Sequence, residues 1–203
     1  MKTLLIFASP HAKGDTAALT DALIQNLNGE VVRFECYRRN VSPCVDCRRC
    51  LRESGCAIQD DMRLIYDCLA DADAIVLASP VYYSLPTPPA IAVMSRLQTV
   101  YAARFRGDTP VRRGKSGGVL LTGGGSGGMD SAETAAKRML RAMGVNRFGE
   151  TAISAETDRV PACEDANAIA AAARLAEFLN GETSGKSMQV LPGDTLHSRA
   201  KRL

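Results

Sequence analysis

Residues 44–56 read CVDCRRCLRESGC, four cysteines within thirteen positions spaced C-x2-C-x2-C-x5-C. Thiolates at this spacing can do one of three things. A C-x2-C-x2-C run offers three ligands to an iron–sulfur cubane from one tight loop, here Cys44, Cys47 and Cys50, and Cys56 is near enough to be the fourth. Four cysteines can also hold zinc, although zinc sites more often pair two C-x2-C units across a longer gap. Or the thiols stay free and shape a loop. Pro43 and Gly55 suit a segment that must wrap. Arg48, Arg49 and Arg52 favour thiolates, and they can balance an anionic cluster, attract a phosphate-bearing substrate or simply be solvated. Cys36, Cys68 and Cys163 read as ordinary buried or half-buried residues.

Three further segments carry ligand-binding residue types. The first is SPHAKGDT, Ser9–Thr16. Ser9 and Thr16 supply hydroxyls, Gly14 supplies flexibility, and a following helix would present its free N–H groups, which together are the parts of a phosphate site. His11 can donate there as well. The competing reading is a plain helix N-cap by Asp15 or Thr16. The second is SPVYYSLP, residues 79–86, where Tyr82 and Tyr83 stand together, followed by Ser84, in a chain with 5% aromatics and no tryptophan. Tyrosines suit a planar ring through stacking and a phenol hydrogen bond; alternatively they pack on the next helix. The third is Thr122 followed by GGGSGG, residues 123–128. Glycines let the backbone approach a ligand closely. Gly123, Gly125 and Gly128 formally match G-x-G-x-x-G, with Glu150 downstream. A Rossmann site is nevertheless rejected, because too little chain follows and five glycines meet that pattern cheaply. GETSGKS, residues 181–187, is one residue short of a P-loop.

These segments need a frame, and the hydrophobic pattern supplies one. TLLIFA (residues 3–8), EVVRFE (30–35), AIVLA (74–78), GGVLLT (117–122) and a short fifth run (151–154) read as strands. Helical patterns fall at 15–27, 60–69, 86–101, 130–143 and 163–179. Parallel strands need crossovers, so this alternation predicts an α/β fold. Five strands fit a doubly wound, flavodoxin-like parallel sheet of order 2-1-3-4-5. In such sheets ligands bind beyond the carboxyl ends of the strands, so the three segments should converge. The expected domain is 1–180, with a polar extension at 181–203.

Composition narrows the class. With 203 residues, 46% hydrophobic and 23% charged, the chain reads as one soluble globular domain. A net charge of +3 gives no reason to expect nucleic acid. No apolar run approaches the ~20 residues of a membrane helix. MKTLLIFASP reads as a first strand and not as a signal peptide, so a cytoplasmic protein with reduced thiols is expected.

The run SP-x3-GDT, SPC-x2-C-x2-C-x5-C-x3-DDM, ADAIVLASPVYY and TGGG resembles the NADPH-dependent FMN reductase-like flavoproteins, and within them the iron–sulfur flavoprotein group, over about residues 1–180. The resemblance implies FMN as cofactor, NAD(P)H as co-substrate and a homodimer or homotetramer. Ser9, Gly14, Asp15 and Thr16 match the FMN phosphate loop. Pro80, Val81, Tyr82 and Tyr83 match the loop beside the isoalloxazine, and Gly123, Gly124 and Gly125 the loop over its other edge. The chemistry implied is hydride transfer to FMN and delivery to a quinone, flavin, metal ion or protein acceptor, with no catalytic side chain. The chain departs from the family's pattern at Asp15, where asparagine is usual, and at Ile91 and Ser95, where lysine and aspartate are usual; Arg96 is kept. A proline-rich LPTPP stands at 85–89.

Three functions follow as expectations. The first is an FMN-dependent NAD(P)H oxidoreductase. The second is an electron carrier with a [4Fe-4S] cluster on Cys44, Cys47, Cys50 and Cys56. The third is a non-enzymatic thiol or metal sensor, against which the three converging loops argue.

Overall fold

The computed structural model describes residues 1–108 and 111–181, so the extension expected at 181–203 lies, from residue 182 onward, outside the described residues. Strand and helix alternate as β1 (Lys2–Phe7), α1 (Asp15–Ile24), β2 (Glu30–Glu35), α2 (Arg49–Arg52), α3 (Met62–Asp71), β3 (Ala74–Tyr82), β4 (Leu85–Pro86), α4 (Pro88–Arg96), α5 (Gln98–Arg106), β5 (Lys115–Thr122), α6 (Met129–Ala142), β6 (Val145–Phe148), β7 (Ala152–Ser154) and α7 (Ala166–Leu179). The main sheet is parallel, in the order β2-β1-β3-β5-β6. β7 also pairs with β5. This is the flavodoxin-like 2-1-3-4-5 arrangement with its fifth position split. β6 pairs with Lys115–Gly117 and β7 with Leu120–Thr122.

Both faces of the central strands are covered, which is why they read as continuous apolar runs. Side chains alternate between two cores. Leu4, Ile6, Ile75, Leu77, Val119 and Leu121 pack with α3, α4 and α6. Leu5, Phe7, Val76, Ala78 and Leu120 pack with α1 and α7. Gly118 lets α7 lie close, since a Cβ there would run into Leu175.

Three local features differ from the sequence expectation. The helix expected over 86–101 is two helices meeting at Leu97. Its prolines fall at the first turn of α4, where a missing N–H costs nothing, after Leu85–Pro86 has paired back on β3. β6, absent from the expectation, is a four-residue strand with one fully buried side chain, too short to show a period. Cys163 is exposed, while Cys36 is buried and Cys68 half-buried; it lies in the turn before α7, not on the helix.

Candidate functional site

The carboxyl ends of β1, β3 and β5 open onto one cleft of about 150 Å³. Ser9, His11, Gly14, Asp15 and Thr16 line it from the first loop, Pro80, Val81 and Tyr82 from the second, and Thr122, Gly123 and Gly124 from the third. Tyr83, Ser84 and Gly125 lie beyond that lining, at the neighbouring turn and loop. Thr157, which no sequence pattern marks, also lines the cleft; its N–H donates to the Gly123 carbonyl at 2.9 Å.

The loops are bound to one another. The Thr16 and Thr122 hydroxyls share a buried hydrogen bond of 2.8 Å. Thr87 Oγ1 donates to the Ala8 carbonyl at 2.8 Å, and Thr87 N–H donates to Ser79 Oγ at 3.1 Å. Gly123 N–H donates to the Ser154 carbonyl at 3.1 Å. The cleft is thus fixed by contacts among its own walls.

At its first wall, α1 begins with Gly14 at the N-cap, and no side chain caps it. The first helical bond runs from Ala18 N–H to the Gly14 carbonyl. The N–H groups of Asp15, Thr16 and Ala17 therefore have no acceptor within the helix and face the loop, with the positive end of the helix dipole behind them. Asp15 neither caps this helix nor faces an anion there. Its Oδ1 accepts the Ala162 N–H at 2.8 Å, so the carboxylate is turned toward the segment before α7.

The second wall is a tight hairpin. Val81 pairs with Pro86 and Tyr82 with Leu85, leaving Tyr83 and Ser84 as a two-residue turn with φ of 48° and 64°. Positive φ at two consecutive non-glycine residues is a strained arrangement of the kind found where function demands it. Tyr83 is fully exposed at the tip, and Gly128 provides the room behind Ser84. Tyr37, just after β2, stands beside Tyr82 and Thr87. Burial pushes its phenol above the ordinary tyrosine value, the Thr87 hydroxyl opposes this, and Tyr82 adds to it. Nothing in the sequence linked Tyr37 to Tyr82, because the pairing depends on neither strand's period.

At the third wall an added Cβ at Gly125 or Gly127 would meet nothing within 4 Å, so the space over the loop is open. Gly124 is different, since a Cβ there would lie 2.5 Å from Asp158 Oδ2. Free helical N–H groups on one wall, the Tyr82 phenol on another and open space over a glycine loop fit a phosphate-bearing planar ligand such as FMN.

The four cysteines form a second region. Cys44, Cys47, Cys50 and Cys56 all line one cavity of about 220 Å³, with Val45, Leu51, Ile58, Arg96 and Tyr101 among its walls. A zinc ion would hold four sulfurs roughly 3.8 Å apart. Among the described residues no three such side chains stand as a single-ion site. Four cysteines on one cavity are the donor set of an iron–sulfur cluster. Burial and the neighbouring thiols Cys56, Cys44 and Cys47 push the Cys50 thiol above its ordinary value. Arg48 and Arg49 are tied to Asp46 at 3.3 Å and Glu53 at 2.9 Å.

Backbone tethers hold this loop to α4 and α5. Arg96 Nη1 donates to the Ser42 carbonyl at 2.9 Å and to Asp60 Oδ2 at 2.7 Å, and Nη2 donates to the Ile58 carbonyl at 3.0 Å. Asp60 accepts the N–H groups of Ser42 and Met62. Ser95 Oγ accepts the Cys44 N–H at 3.0 Å, and Arg106 donates to the Cys50 carbonyl. Burial raises the Asp60 carboxyl, but Arg96 and the two backbone donors outweigh it and hold it below the usual range.

The architecture and the cleft together define a flavodoxin-like α/β protein with a site for a phosphate-bearing ring. A family model described as NADPH-dependent FMN reductase matches residues 1–158, and the chain belongs to that family, whose cofactor is FMN and whose reductant is NAD(P)H. Two iron–sulfur flavoproteins of Archaeoglobus fulgidus are similar. One is 28% identical over 152 residues, covering 73% of this chain and 66% of the relative. The other is 36% identical over 121 residues, 59% of this chain and 60% of the relative. The chain thus spans less than two thirds of either relative. Among solved structures, an NAD(P)H:quinone oxidoreductase from Methanothermobacter marburgensis superposes with a TM-score of 0.69 at 19% identity, over 92% of this chain and 99% of that one. An archaeal flavodoxin superposes at 0.53 and 18% identity, over 90% and 98%. These two likenesses establish the fold. No helix among the described residues is long and apolar enough to cross a membrane.

Proposed function

We propose that the chain is an FMN-dependent NAD(P)H oxidoreductase that passes electrons to a quinone, a flavin, a metal ion or a protein acceptor. One observation carries this reading: the uncapped start of α1, the Tyr82 hairpin and the glycine loop line a single cleft. FMN, when bound, supplies the redox chemistry, taking a hydride from NAD(P)H and giving electrons to the acceptor. The chain's part is placement. The N–H groups of Asp15, Thr16 and Ala17 hold the phosphate, with Ser9 and Thr16 hydroxyls beside them. Asp15 keeps its charge away by bonding Ala162. Pro80, Val81 and Tyr82 flank the ring from one side, and Gly123, Gly124 and Gly125 approach from the other. The exposed Tyr83 meets whatever substrate stacks at the rim, with Ser84 shaping the turn. The test is an anaerobic titration of the FMN-loaded protein with NADPH and NADH, followed by a panel of acceptors. Bleaching of the flavin bands by either nucleotide, and their return on adding an acceptor, is the expected result. A flavin that neither nucleotide reduces would overturn it.

A second reading is favoured by the cavity shared by all four cysteines. In it, Cys44, Cys47, Cys50 and Cys56 hold a [4Fe-4S] cluster, and the protein relays single electrons between a carrier protein and FMN. Iron and acid-labile sulfide in the anaerobically purified protein test it. A homodimer or homotetramer is also proposed, supported by the exposed apolar side chains of Val45, Leu51, Tyr101 and Phe105 beside that cavity. Light scattering reads the mass directly.

A further inference from the structure

Arg96 is the largest fully buried side chain among the described residues, at 1% exposure, and it forms part of the wall of the four-cysteine cavity. Its two terminal nitrogens are engaged with Asp60 and the carbonyls of Ser42 and Ile58. Those two carbonyls stand at the two ends of the cysteine segment, so one guanidinium closes the loop like a clasp. Its third donor is not engaged. The Nε–H of Arg96 is buried and has no hydrogen-bond partner among the described residues.

A buried N–H of a charged group left without an acceptor is costly, and native structures rarely tolerate one. No backbone carbonyl or side chain meets it here, and the wall it belongs to carries four sulfurs. Thiolate and sulfide sulfur are acceptors, and an anionic occupant would be desolvated in an apolar cavity unless a fixed cation stood near. Asp60 fixes that cation without removing its last donor.

We infer that Arg96 is a positioning residue for the four-cysteine site, its Nε–H being the donor to a sulfur of an anionic iron–sulfur group held there. This rests on the cluster reading above and adds a residue outside the cysteine motif, from α4, a helix the motif does not include. Hydrogen bonds to cluster sulfurs stabilise the more reduced, more negative state and raise the reduction potential. Arg96 therefore tunes the site as well as closing it.

The experiment uses the full chain, loaded anaerobically with ferrous iron and sulfide and labelled with 15N-arginine. Hyperfine spectroscopy of the reduced cluster is expected to show a coupled arginine nitrogen with a solvent-exchangeable proton. Arg96→Lys, and the double variant Arg96→Met with Asp60→Asn, which leaves no unpaired charge, are expected to lose that coupling and show a lower midpoint potential. An arginine coupling absent from the loaded wild-type protein would overturn the inference, and so would an unchanged potential in a variant that still holds its iron. Wild-type protein that binds FMN but takes up no iron would remove the cluster reading and this inference together, leaving the FMN reading standing.

Discussion

The strand-end cleft and the cysteine cavity lie on the same scaffold but are built by opposite means. The cleft is made of backbone. Its donors are N–H groups at the start of α1, its walls are the ends of three adjacent parallel strands, and its cross-links are short hydroxyls such as Thr16 and Thr122. The cavity is made of side chains on an irregular loop. That loop owes its course to a buried ion pair and to tethers from α4 and α5. A site made from strand ends inherits the rigidity of the sheet. A site on a loop must bring its own clamp, and Asp60–Arg96 is that clamp.

The strongest way to break the contrast is to remove the clamp's cation. Arg96→Met leaves Asp60, 3% exposed, without its partner. It is expected to destabilise the fold by about 3–5 kcal/mol, read from urea denaturation, because an unpaired buried charge remains. The pH dependence has a definite sign. The Asp60 carboxyl is held below its ordinary value of 3.8, so the unfolded chain binds the proton more readily than the folded one. This stabilisation is complete above that ordinary value and is lost as pH falls through the lower folded value. Wild-type protein should therefore lose stability on acidification in that window, and the Asp60→Asn, Arg96→Met double variant should lose less.

The cleft breaks differently. Gly124→Ala drives a methyl group against the Asp158 carboxylate and shifts the third wall. It is expected to weaken FMN binding roughly tenfold, about 1.4 kcal/mol, in a fluorescence titration. Gly125→Ala meets nothing in the protein, so its stability should stay within about 0.5 kcal/mol of wild type. Any loss of FMN affinity there reports contact with the ligand itself. Arg106→Ala releases the Cys50 carbonyl. Alkylation of Cys50 should quicken several-fold while FMN affinity holds, which would show that the two regions are independently supported. A small effect of opposite sign concerns the hairpin. Ser84→Gly removes a left-handed strain at φ 64° and should stabilise the protein by about 0.5–1 kcal/mol in thermal unfolding.

The same contrast explains how far the sequence could be read. The sheet order and the convergence of the three loops were legible because buried parallel strands write continuous apolar runs and because loops after such strands have one destination. Ser9, Gly14, Thr16, Tyr82 and Gly123 could be named for that reason. Thr157, which lines the cleft, and Tyr37, which stands beside Tyr82, could not, since each is placed by a contact between distant segments and has no periodic signature. Asp15 looked like a misfit beside an anion until its bond to Ala162, 147 positions away, gave it another task. Arg96 was visible only as one residue kept in a weakened motif. Its pairing with Asp60 across 36 positions, and the spare Nε–H, belong to tertiary packing.

The most direct test is a visible absorption spectrum of protein purified without oxygen, with flavin, iron and sulfide assayed on the same sample. Flavin bands with equimolar FMN are predicted, overlaid by broad iron–sulfur absorbance where the cysteine cavity is filled. A colourless protein that FMN fails to reconstitute would contradict the assignment of the cleft.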